Sequence, residues 1–446
     1  MKDNLFKDKS FISQLLSHAL PICFQMFMFA SVSAADAFML GGIEQNVMAA
    51  VSLASQIQFV LNLVLSGVIS ATALLGAQYW GKKDSNSIDD IFSISIKLSV
   101  LISFVFYFGC SFFPRQLMLF YTDNEILIEI GIRYLKITSF AYLITGFTQI
   151  YIAIIRISDH IKVAAGISCS AVLFNIVLNL LFIFGFNMSV EGAALATLFA
   201  RIIEFFIAIF ISFRPQYIRL KLNKLFKLNK MLTIDFLKCM FPLMCASMLW
   251  GIGFTSYTSF MGHLGVDAAA ANSITAVVRD LLCAASDGFA QGGGIMIGNE
   301  LGAANLENGK LYGIRLAKLS FVFGGMCSII MLAITPLVIR VIKLSPQAII
   351  YLKQMMVVMS VYSIGRYVNN MIICGVLMAG GDTLFDMYSL FVSMWCVALP
   401  LAMLGTYYFH WPVVIIYGCT CLDEIGKIPW TIHHFLKYKW VKDLTR

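Results

Sequence analysis

The stretch VAAGISCSAVLFNIVLNLLFIFGFNMSVEGAALATLFARIIEFFIAIFIS (163–212) decides the fold of this chain. It holds two apolar runs, 164–186 and 191–212, with a short polar gap between them. About 20 mainly apolar residues are enough for a helix to cross the hydrocarbon core of a bilayer. Backbone N–H and C=O groups in lipid must find their partners within the segment, so both runs are predicted to be helices. The stretch therefore predicts a transmembrane helical hairpin.

The same composition extends over all 446 residues. Charged residues make up 13% of the chain, apolar residues 59%, and the mean hydropathy is +0.83. An ordinary globular chain is about 25% charged, so these values exclude a soluble enzyme, a disordered chain, a collagen and a disulfide scaffold. The net charge of +8 does not indicate nucleic-acid binding, because most basic residues lie in or beside the gaps between apolar runs. The chain is predicted to be an integral membrane protein.

Twelve apolar runs follow one another, and no gap between them has room for a soluble domain. The segments of about ten alternating residues that a β-barrel needs are absent. The first run is too long for a signal peptide, so it is expected to remain in the mature protein. The sequence predicts an all-α polytopic membrane protein with twelve transmembrane helices. The runs are 13–40, 48–77, 91–112, 130–152, 164–186, 191–212, 235–262, 269–299, 313–338, 351–377, 386–408 and 414–436.

Lysine and arginine predict the orientation. If both termini are cytoplasmic, the gaps and helix ends on that side hold 20 Lys and Arg, against 6 on the other side. Cytoplasmic loops of membrane proteins carry such an excess, so an even number of helices with both ends inside is expected. The longest gap, 213–234, carries six of the basic residues. It is expected to lie as a peripheral linker against anionic lipid headgroups.

The two halves of the chain repeat. The offset that carries Pro21 to Pro242, called the repeat offset below, needs no gap from Pro21 as far as Gly81. It also aligns Gly41 with Gly262, Gly67 with Gly288, and Gly81 with Gly302. Further on, the offset grows by one position for Pro114 and Pro336 and by two for Asp159 and Asp382. Six helices precede the basic linker and six follow it, so both halves have the same orientation in the membrane. Parallel repeats of this kind are typical of transporters with a substrate cavity between two lobes.

The repeat predicts an N-terminal six-helix lobe (1–222) and a C-terminal six-helix lobe (223–446). No phosphate-binding loop is present, since Gly81-Lys82, Gly309-Lys310 and Gly426-Lys427 all lack the following Ser or Thr and the upstream glycine spacing. ATP is therefore not expected, and an ion gradient is the natural energy source. The eleven cysteines lie almost wholly within apolar runs and are expected to form neither disulfides nor a metal cluster.

Asp36 is the ionisable residue that most clearly indicates a site. It lies in the first run with no basic residue three or four positions away. A carboxylate without a partner in a membrane either takes up a proton or binds a cation. Asn175 and Asn179 share one helix face, and Thr197 follows on the next run. Their neutral oxygens suit Na⁺ or a relayed proton, although hydrogen bonding between helices would use the same residues.

Other charges within the runs have less specific interpretations. Arg201 and Glu204 are three residues apart and are expected to form a structural ion pair. Arg279 and Asp280 are adjacent, so they do not share a helix face. Asp287 and Asp382 are further candidate intramembrane charges.

At these residues the chain resembles the multidrug and toxic compound extrusion (MATE) transporters, over about residues 15–435. The stretch FNIVLNLLFIFGFNMSVEGAALAT (174–197) is similar to the signature of helices five and six of that family. GAQYWGKKD (76–84) and IGNELGAAN (297–305) resemble its paired motif after helices two and eight. MAGGDT (378–383) resembles its motif after helix ten. The major facilitator superfamily also has six plus six helices, but its charged signature after helix two is missing here.

The resemblance implies a V-shaped arrangement of two lobes and export of organic, cationic or amphipathic drugs by a bacterial-type antiporter driven by H⁺ or Na⁺. It also implies that Asp36, Asn175, Asn179, Ala193 and Thr197 form the protonation or Na⁺ site of the N-terminal lobe. Asn179 stands where several members carry a second acid. Ser247 or Trp250 stands where some carry a helix-seven glutamate. No cofactor is expected, and the chain is expected to be a monomer in the cytoplasmic membrane.

Two other functions remain open. A flippase of lipid-linked oligosaccharides or other lipids, from the same superfamily, would need a more cationic cavity, and Arg201, Arg279 and Arg366 are the residues that would serve it. A polytopic membrane enzyme would need a catalytic pair or a metal cluster, and no such pattern is present in the sequence. The sign of the cavity charge distinguishes the first two functions.

Overall fold

The computed structural model describes residues 9–41, 45–219, 221–225, 229–342 and 344–445. Within these ranges, the side chains of residues 32–41, 45 and 222 lie outside the description. Every regular element of the described ranges is helical, and eleven helices there are long and apolar enough to cross a membrane. The fold is therefore an all-α, multi-pass membrane fold.

The first half of the chain forms long helices joined by short turns. Its elements are α1 (Lys9–Gly41), α2 (Gln45–Gly81), α3 (Ser85–Phe112), α4 (Pro114–Leu119), α5 (Glu125–Ile157), α6 (Ile161–Asn179), α7 (Val190–Ser212) and α8 (Leu222–Leu225). A π-helical segment, Leu180–Gly185, extends α6.

The second half begins with the same succession of long helices. Its elements are α9 (Lys230–His263), α10 (Val266–Gly302), α11 (Leu306–Val341), α12 (Pro346–Asn369), α13 (Thr383–Leu390), α14 (Leu399–Tyr407), α15 (Val413–Thr420), α16 (Leu422–Ile425) and α17 (Ile428–Phe435). Two π-helical segments, Asn370–Leu377 and Phe391–Ala398, extend α12 and join α13 to α14.

Eleven of the predicted runs coincide with continuous helical segments, most of which extend several residues beyond the run. The extension is expected, because a helix can continue into water with polar residues after its apolar part ends. The twelfth run, 414–436, is different: it forms the three short helices α15, α16 and α17. Polar and helix-breaking residues interrupt it, among them Asp423, Glu424, Gly426 and Pro429.

The backbone repeats with the spacing seen in the sequence. Lys83 and Ala304 have φ values of 61° and 62°, and the repeat offset aligns them. Asp159 and Gly381 also have positive φ, at 64° and 77°, and their offset is longer by a single position. Positive φ is uncommon outside glycine, so its recurrence at matching turns is a specific sign of duplication. The same unusual turns end corresponding helices in both halves.

The first turn of the paired motif also caps the helix that follows it. Asp84 precedes α3 and accepts hydrogen bonds from the Ser87 hydroxyl (2.7 Å) and the Ser87 backbone N–H (3.2 Å). These bonds, led by that from the hydroxyl, lower the pKa of the Asp84 carboxyl. Asn305, which the repeat offset aligns with Asp84, occupies the corresponding position before α11. The motif therefore has a local structural role at the start of a helix.

The described contacts group the chain into two compact units. One unit is Met28–Met244, and the other joins the segment before Met28 to Cys245–Arg446. The first part of α1 thus packs with the C-terminal helices, and the first part of α9 with the N-terminal helices. The lobes 1–222 and 223–446 remain a prediction about the transport units.

Two glycines related by the repeat allow this packing. A Cβ atom added to Gly67 on α2 would lie 2.8 Å from the Met244 Cα of α9. A Cβ atom added to Gly288 on α10 would lie 2.7 Å from the Cys23 Cα of α1. The repeat offset aligns Gly67 with Gly288, and it aligns their neighbours Cys23 and Met244 as well. Glycine is required at both positions because small residues let helix backbones approach closely.

Replacing Gly288 by valine is expected to destabilise the protein by about 1–3 kcal/mol, because the new side chain has no room beside the Cys23 backbone. The thermal unfolding midpoint of the detergent-solubilised protein measures the effect. Gly325→Ala on α11 is the matched control, since a Cβ atom there meets nothing within 4 Å. That control should be neutral or slightly stabilising. A Gly288→Val protein as stable as the wild type would contradict the packing described.

The basic linker is partly bound to α3. Lys221 Nζ lies 2.6 Å from Asp89 Oδ2, and Lys224 Nζ lies 2.6 Å from Asp90 Oδ1. The Asp89 side chain is only 7% exposed, so this pair fastens the linker to the helix. The expectation that all six basic residues face lipid headgroups is therefore wrong for Lys221 and Lys224, whose partners lie on a distant segment of the chain.

Candidate functional site

The predicted residues of α6 and α7 form two hydrogen-bonded pairs, one on each helix. The Asn179 amide donates a hydrogen bond of 3.3 Å to the Asn175 Oδ1, one helical turn earlier on α6. The Thr197 hydroxyl donates one of 3.1 Å to the backbone carbonyl of Ala193 on α7. Asn179 and Ala193 are buried, whereas Asn175 and Thr197 are partly exposed. The two partly exposed residues, Asn175 and Thr197, therefore mark the part of each pair that can contact a cavity.

Asn175 and Thr197 line one cavity of about 640 Å³ in the unit Met28–Met244. About half of the wall is apolar, and its polar residues are mostly uncharged: Gln58 and Asn62 come from α2, and Gln149 comes from α5. Cavities of roughly 300–1,000 Å³ are the size that holds drug-like molecules. Two of the five sequence-predicted residues, Asn175 and Thr197, therefore lie at a cavity large enough for a small organic molecule.

Asp36 lies on α1, but its side chain is outside the described residues. Four of the five residues of the predicted cation site are described, namely Asn175, Asn179, Ala193 and Thr197, and they supply amide, hydroxyl and carbonyl oxygens. The assignment of this group as the cation site remains a prediction.

Arg201 and Glu204 form the expected ion pair on α7. Arg201 Nη1 lies 2.7 Å from Glu204 Oε2. The Glu204 side chain is fully buried, while that of Arg201 is 24% exposed and lines the 640 Å³ cavity. Glu204 is therefore buried in the protein, whereas the Arg201 side chain reaches the cavity.

A second group of buried charges lies in the other unit, between α12 and α16. Glu424 is at its centre: its carboxylate accepts hydrogen bonds from Arg366 Nη1 (3.3 Å) and Asn369 Nδ2 (2.8 Å). Lys427 Nζ lies 3.4 Å from the same carboxylate, and the Glu424 and Lys427 side chains are each 5% exposed. Charges so far from water persist only when they are paired and hydrogen-bonded.

Asp287 connects α10 to this network. It lies 3.6 Å from Arg366 and accepts a 2.6 Å hydrogen bond from the Asn370 amide, which also donates to Ser286 (3.1 Å). Asn370 begins a π-helical segment, and π turns often occur at functional sites. Asp287 is therefore held by two partners in the described structure and belongs to the network.

Arg279 and Asp280 pair directly. The Arg279 Nη2 and Nε atoms lie 2.7 and 2.9 Å from Asp280 Oδ1. Adjacent residues do not share a helix face, but the long arginine side chain still reaches the neighbouring carboxylate. The Arg279 guanidinium also lies 4.6 Å from the ring centre of Phe254, which is stacked on Trp250. Trp250, one of the two positions where the resemblance implies a glutamate in some members, is thus part of an aromatic stack.

Asp382 lies between two segments that are long and apolar enough to cross a membrane. It lies in the turn between the membrane-spanning segments that end at Leu377 and begin at Thr383. Its Oδ2 is 2.6 Å from His434 Nε2, and the His434 ring stacks on Phe385 at 3.9 Å. This position agrees with the gap between the apolar runs 351–377 and 386–408, and a role of Asp382 as an intramembrane charge stays a prediction.

The sequence argument missed several residues of the cavity wall. Ser55, Gln58 and Asn62 recur on one face of α2, with the spacing of helical turns, and all three line the cavity. That polar stripe could have been recognised in the second apolar run. On α5, Thr145 and Gln149 are four residues apart and also line the cavity, so a shorter polar pattern marks this helix as well.

Comparison with known proteins gives the family. The MatE family model matches residues 21–181 and again 242–404, and the starts of the two matches are separated by the repeat offset. The uncharacterized transporter YisQ of Bacillus subtilis is 23% identical over 418 residues, which is 91% of each chain. The probable multidrug resistance protein NorM of Thermotoga maritima is 22% identical, over 96% of this chain and 93% of that protein.

The fold is also that of solved MATE structures. A multidrug resistance MATE transporter of the MOP superfamily, in its outward-facing conformation, superposes with a TM-score of 0.87 at 17% identity over 96% of both chains. The double match of the family model covers well over half of the chain and confirms the internal repeat. The chain belongs to the MatE family and is a multi-pass membrane transporter of small molecules, not an enzyme.

Proposed function

We propose that this transporter is an antiporter that exports organic molecules across the cytoplasmic membrane in exchange for a cation, by alternating access. The 640 Å³ cavity carries the proposal, because Asn175 and Thr197 line it and are hydrogen-bonded to the buried Asn179 and Ala193. The protein works as a monomer without a cofactor, and both termini are cytoplasmic. The bias of Lys and Arg supports this orientation.

The proposed coupling site consists of Asp36, Asn175, Asn179, Ala193 and Thr197. It offers one formal negative charge and several neutral oxygens. One carboxylate holds either a proton or one Na⁺, so the two ions compete: Na⁺ lowers the apparent pKa of the site, and acid weakens Na⁺ binding. Asn179 supplies an amide where a second acid would raise cation affinity, and this favours H⁺ as the working ion.

Proteoliposomes with separate gradients test the coupling ion. A pH gradient alone should drive export of a fluorescent amphipathic dye, and Na⁺ alone, at equal pH on both sides, should have a smaller effect. The control is the same vesicle with a protonophore, which removes the pH gradient while leaving the Na⁺ gradient. Strong stimulation by Na⁺ with no response to pH would overturn the choice of H⁺ while leaving the proposed site intact.

The described arginines do not favour a flippase. Arg201, Arg279 and Arg366 are each bound to an acid: to Glu204, to Asp280, and to Glu424 with Asp287, respectively. The described wall of the large cavity is therefore close to neutral, whereas a flippase of anionic lipids would need a net positive field. Export of soluble organic molecules is the function that the described cavity supports best.

A further inference from the structure

The 640 Å³ cavity has one charged residue in its described wall, Arg201. Its other polar wall residues are carboxamides or hydroxyl-bearing side chains, including Gln58, Asn62 and Gln149, and its apolar wall includes the rings of Phe29 and Phe59. Within this described wall, a bound molecule meets aromatic surfaces, neutral hydrogen-bonding groups and one guanidinium. Only Arg201 in this described wall can form an ionic hydrogen bond with the molecule.

Glu204 makes this guanidinium available. The described structure shows one hydrogen bond from Arg201, from Nη1 to Glu204 Oε2 at 2.7 Å. A guanidinium has five N–H donors, so the group retains donors for a bound molecule. The fully buried Glu204 balances the positive charge and holds the side chain in place. An arginine without such a partner would be costly inside a membrane.

We infer that Arg201 is a substrate-binding residue that selects amphipathic molecules bearing an anionic oxygen group, a carboxylate or a phosphate. Planar guanidinium groups bind such oxygens with two parallel hydrogen bonds, which adds both affinity and orientation. The substrates preferred by this cavity are therefore zwitterions or anions with an aromatic body rather than simple organic cations. The inference deepens the proposed function, since it assumes that this cavity is the transport site.

A matched pair of dyes tests the selection. Rhodamine B carries a free carboxylate, and its ethyl ester has the same rings and cationic group without that charge. Fluorescence polarisation measures the binding of both dyes to the protein in phosphatidylcholine nanodiscs without any ion gradient. Charged hydrogen bonds contribute about 1.5–3 kcal/mol, so the wild type should bind the acid roughly 10–100-fold more tightly than the ester.

The variants are chosen so that no buried charge loses its partner. In the double variant Arg201→Gln with Glu204→Gln, the acid should bind about as weakly as the ester, and ester binding should stay unchanged. Arg201→Lys keeps the charge but loses the two-pronged geometry, so it should retain part of the preference. The control is Arg133→Gln with Glu191→Gln, which removes a more exposed 2.9 Å ion pair of the same unit. The control should leave the preference intact.

Equal binding of acid and ester by the wild type would overturn the assignment, as would equal weakening of both dyes in the Arg201/Glu204 double variant. Adding phosphatidylglycerol identifies the anion source. Competition with rhodamine B that the double variant abolishes would assign the site to a lipid phosphate, and absence of competition would assign it to soluble carboxylates. Failure of coupling is separate: a protein that prefers the acid but does not export it in proteoliposomes would contradict the antiporter proposal and leave Arg201 assigned.

Discussion

Asp36→Asn is expected to abolish gradient-driven export while leaving expression close to that of the wild type. An asparagine amide has nearly the same shape as the carboxyl group, but it neither exchanges a proton at physiological pH nor neutralises Na⁺. Without an ion-dependent charge at this position, the gradient has no means of driving the transport cycle. Export from proteoliposomes under an imposed pH gradient measures the effect.

The control for this variant is Asp123→Asn, which removes an exposed acid from the turn before α5. It should export at the wild-type rate. Substrate binding in nanodiscs, measured without a gradient, should persist in Asp36→Asn but lose its dependence on pH. Undiminished export by Asp36→Asn would remove Asp36 from the mechanism and with it the proposed coupling site.

Lys427→Met is expected to destabilise the protein by about 3–5 kcal/mol, the usual result of breaking a buried ion pair. The variant leaves Glu424 with one fewer cation, in a position only 5% exposed, and with Asp423 next to it in the chain. The uncompensated negative charge in a medium of low dielectric constant causes the loss. A fall in the thermal unfolding midpoint of the solubilised protein reports it.

Removing the acid as well should restore most of the stability. In Lys427→Met with Glu424→Gln, the glutamine can keep accepting from Asn369 and Arg366 while the extra charge is gone. Lys439→Met is the control, since Lys439 is exposed and lies outside this network, and it should unfold as the wild type does. A single variant as stable as the wild type, or a double variant no more stable than the single one, would show that the Lys427–Glu424 pair does not hold this region together.

Eleven of the twelve predicted spans could be read from the sequence, although most of these helices extend beyond their apolar runs. Eleven apolar runs match helices because, in lipid, each segment must satisfy its own backbone hydrogen bonds, and apolar length alone then predicts a span. The repeat could be read as well. The repeat offset recurs in the left-handed residues Lys83 and Ala304, and in the glycine contacts of Gly67 and Gly288.

The candidate site could be predicted in part. The spacing of Asn175 and Asn179 predicts one shared helix face, and the structure shows the hydrogen bond between them. The pairing of Arg201 with Glu204 followed from the same rule of helical spacing. The sequence could not show that Arg201 also faces a cavity, because that depends on α2 and α5 as well as on α7.

The sequence by itself therefore determined the elements that depend on local interactions: the apolar spans, their order and their duplication. Only the tertiary structure decided which charges are paired, since Asp287, Arg366 and Glu424 come from three distant segments and meet only when α10, α12 and α16 pack together. The break of the twelfth run into α15, α16 and α17 also depends on tertiary contacts between charges. Its Glu424 and Lys427 would oppose burial if each stood alone, but mutual pairing compensates their charges. Backbone hydrogen bonds are satisfied within one segment, whereas a buried charge needs a partner, and that partner can come from anywhere in the chain.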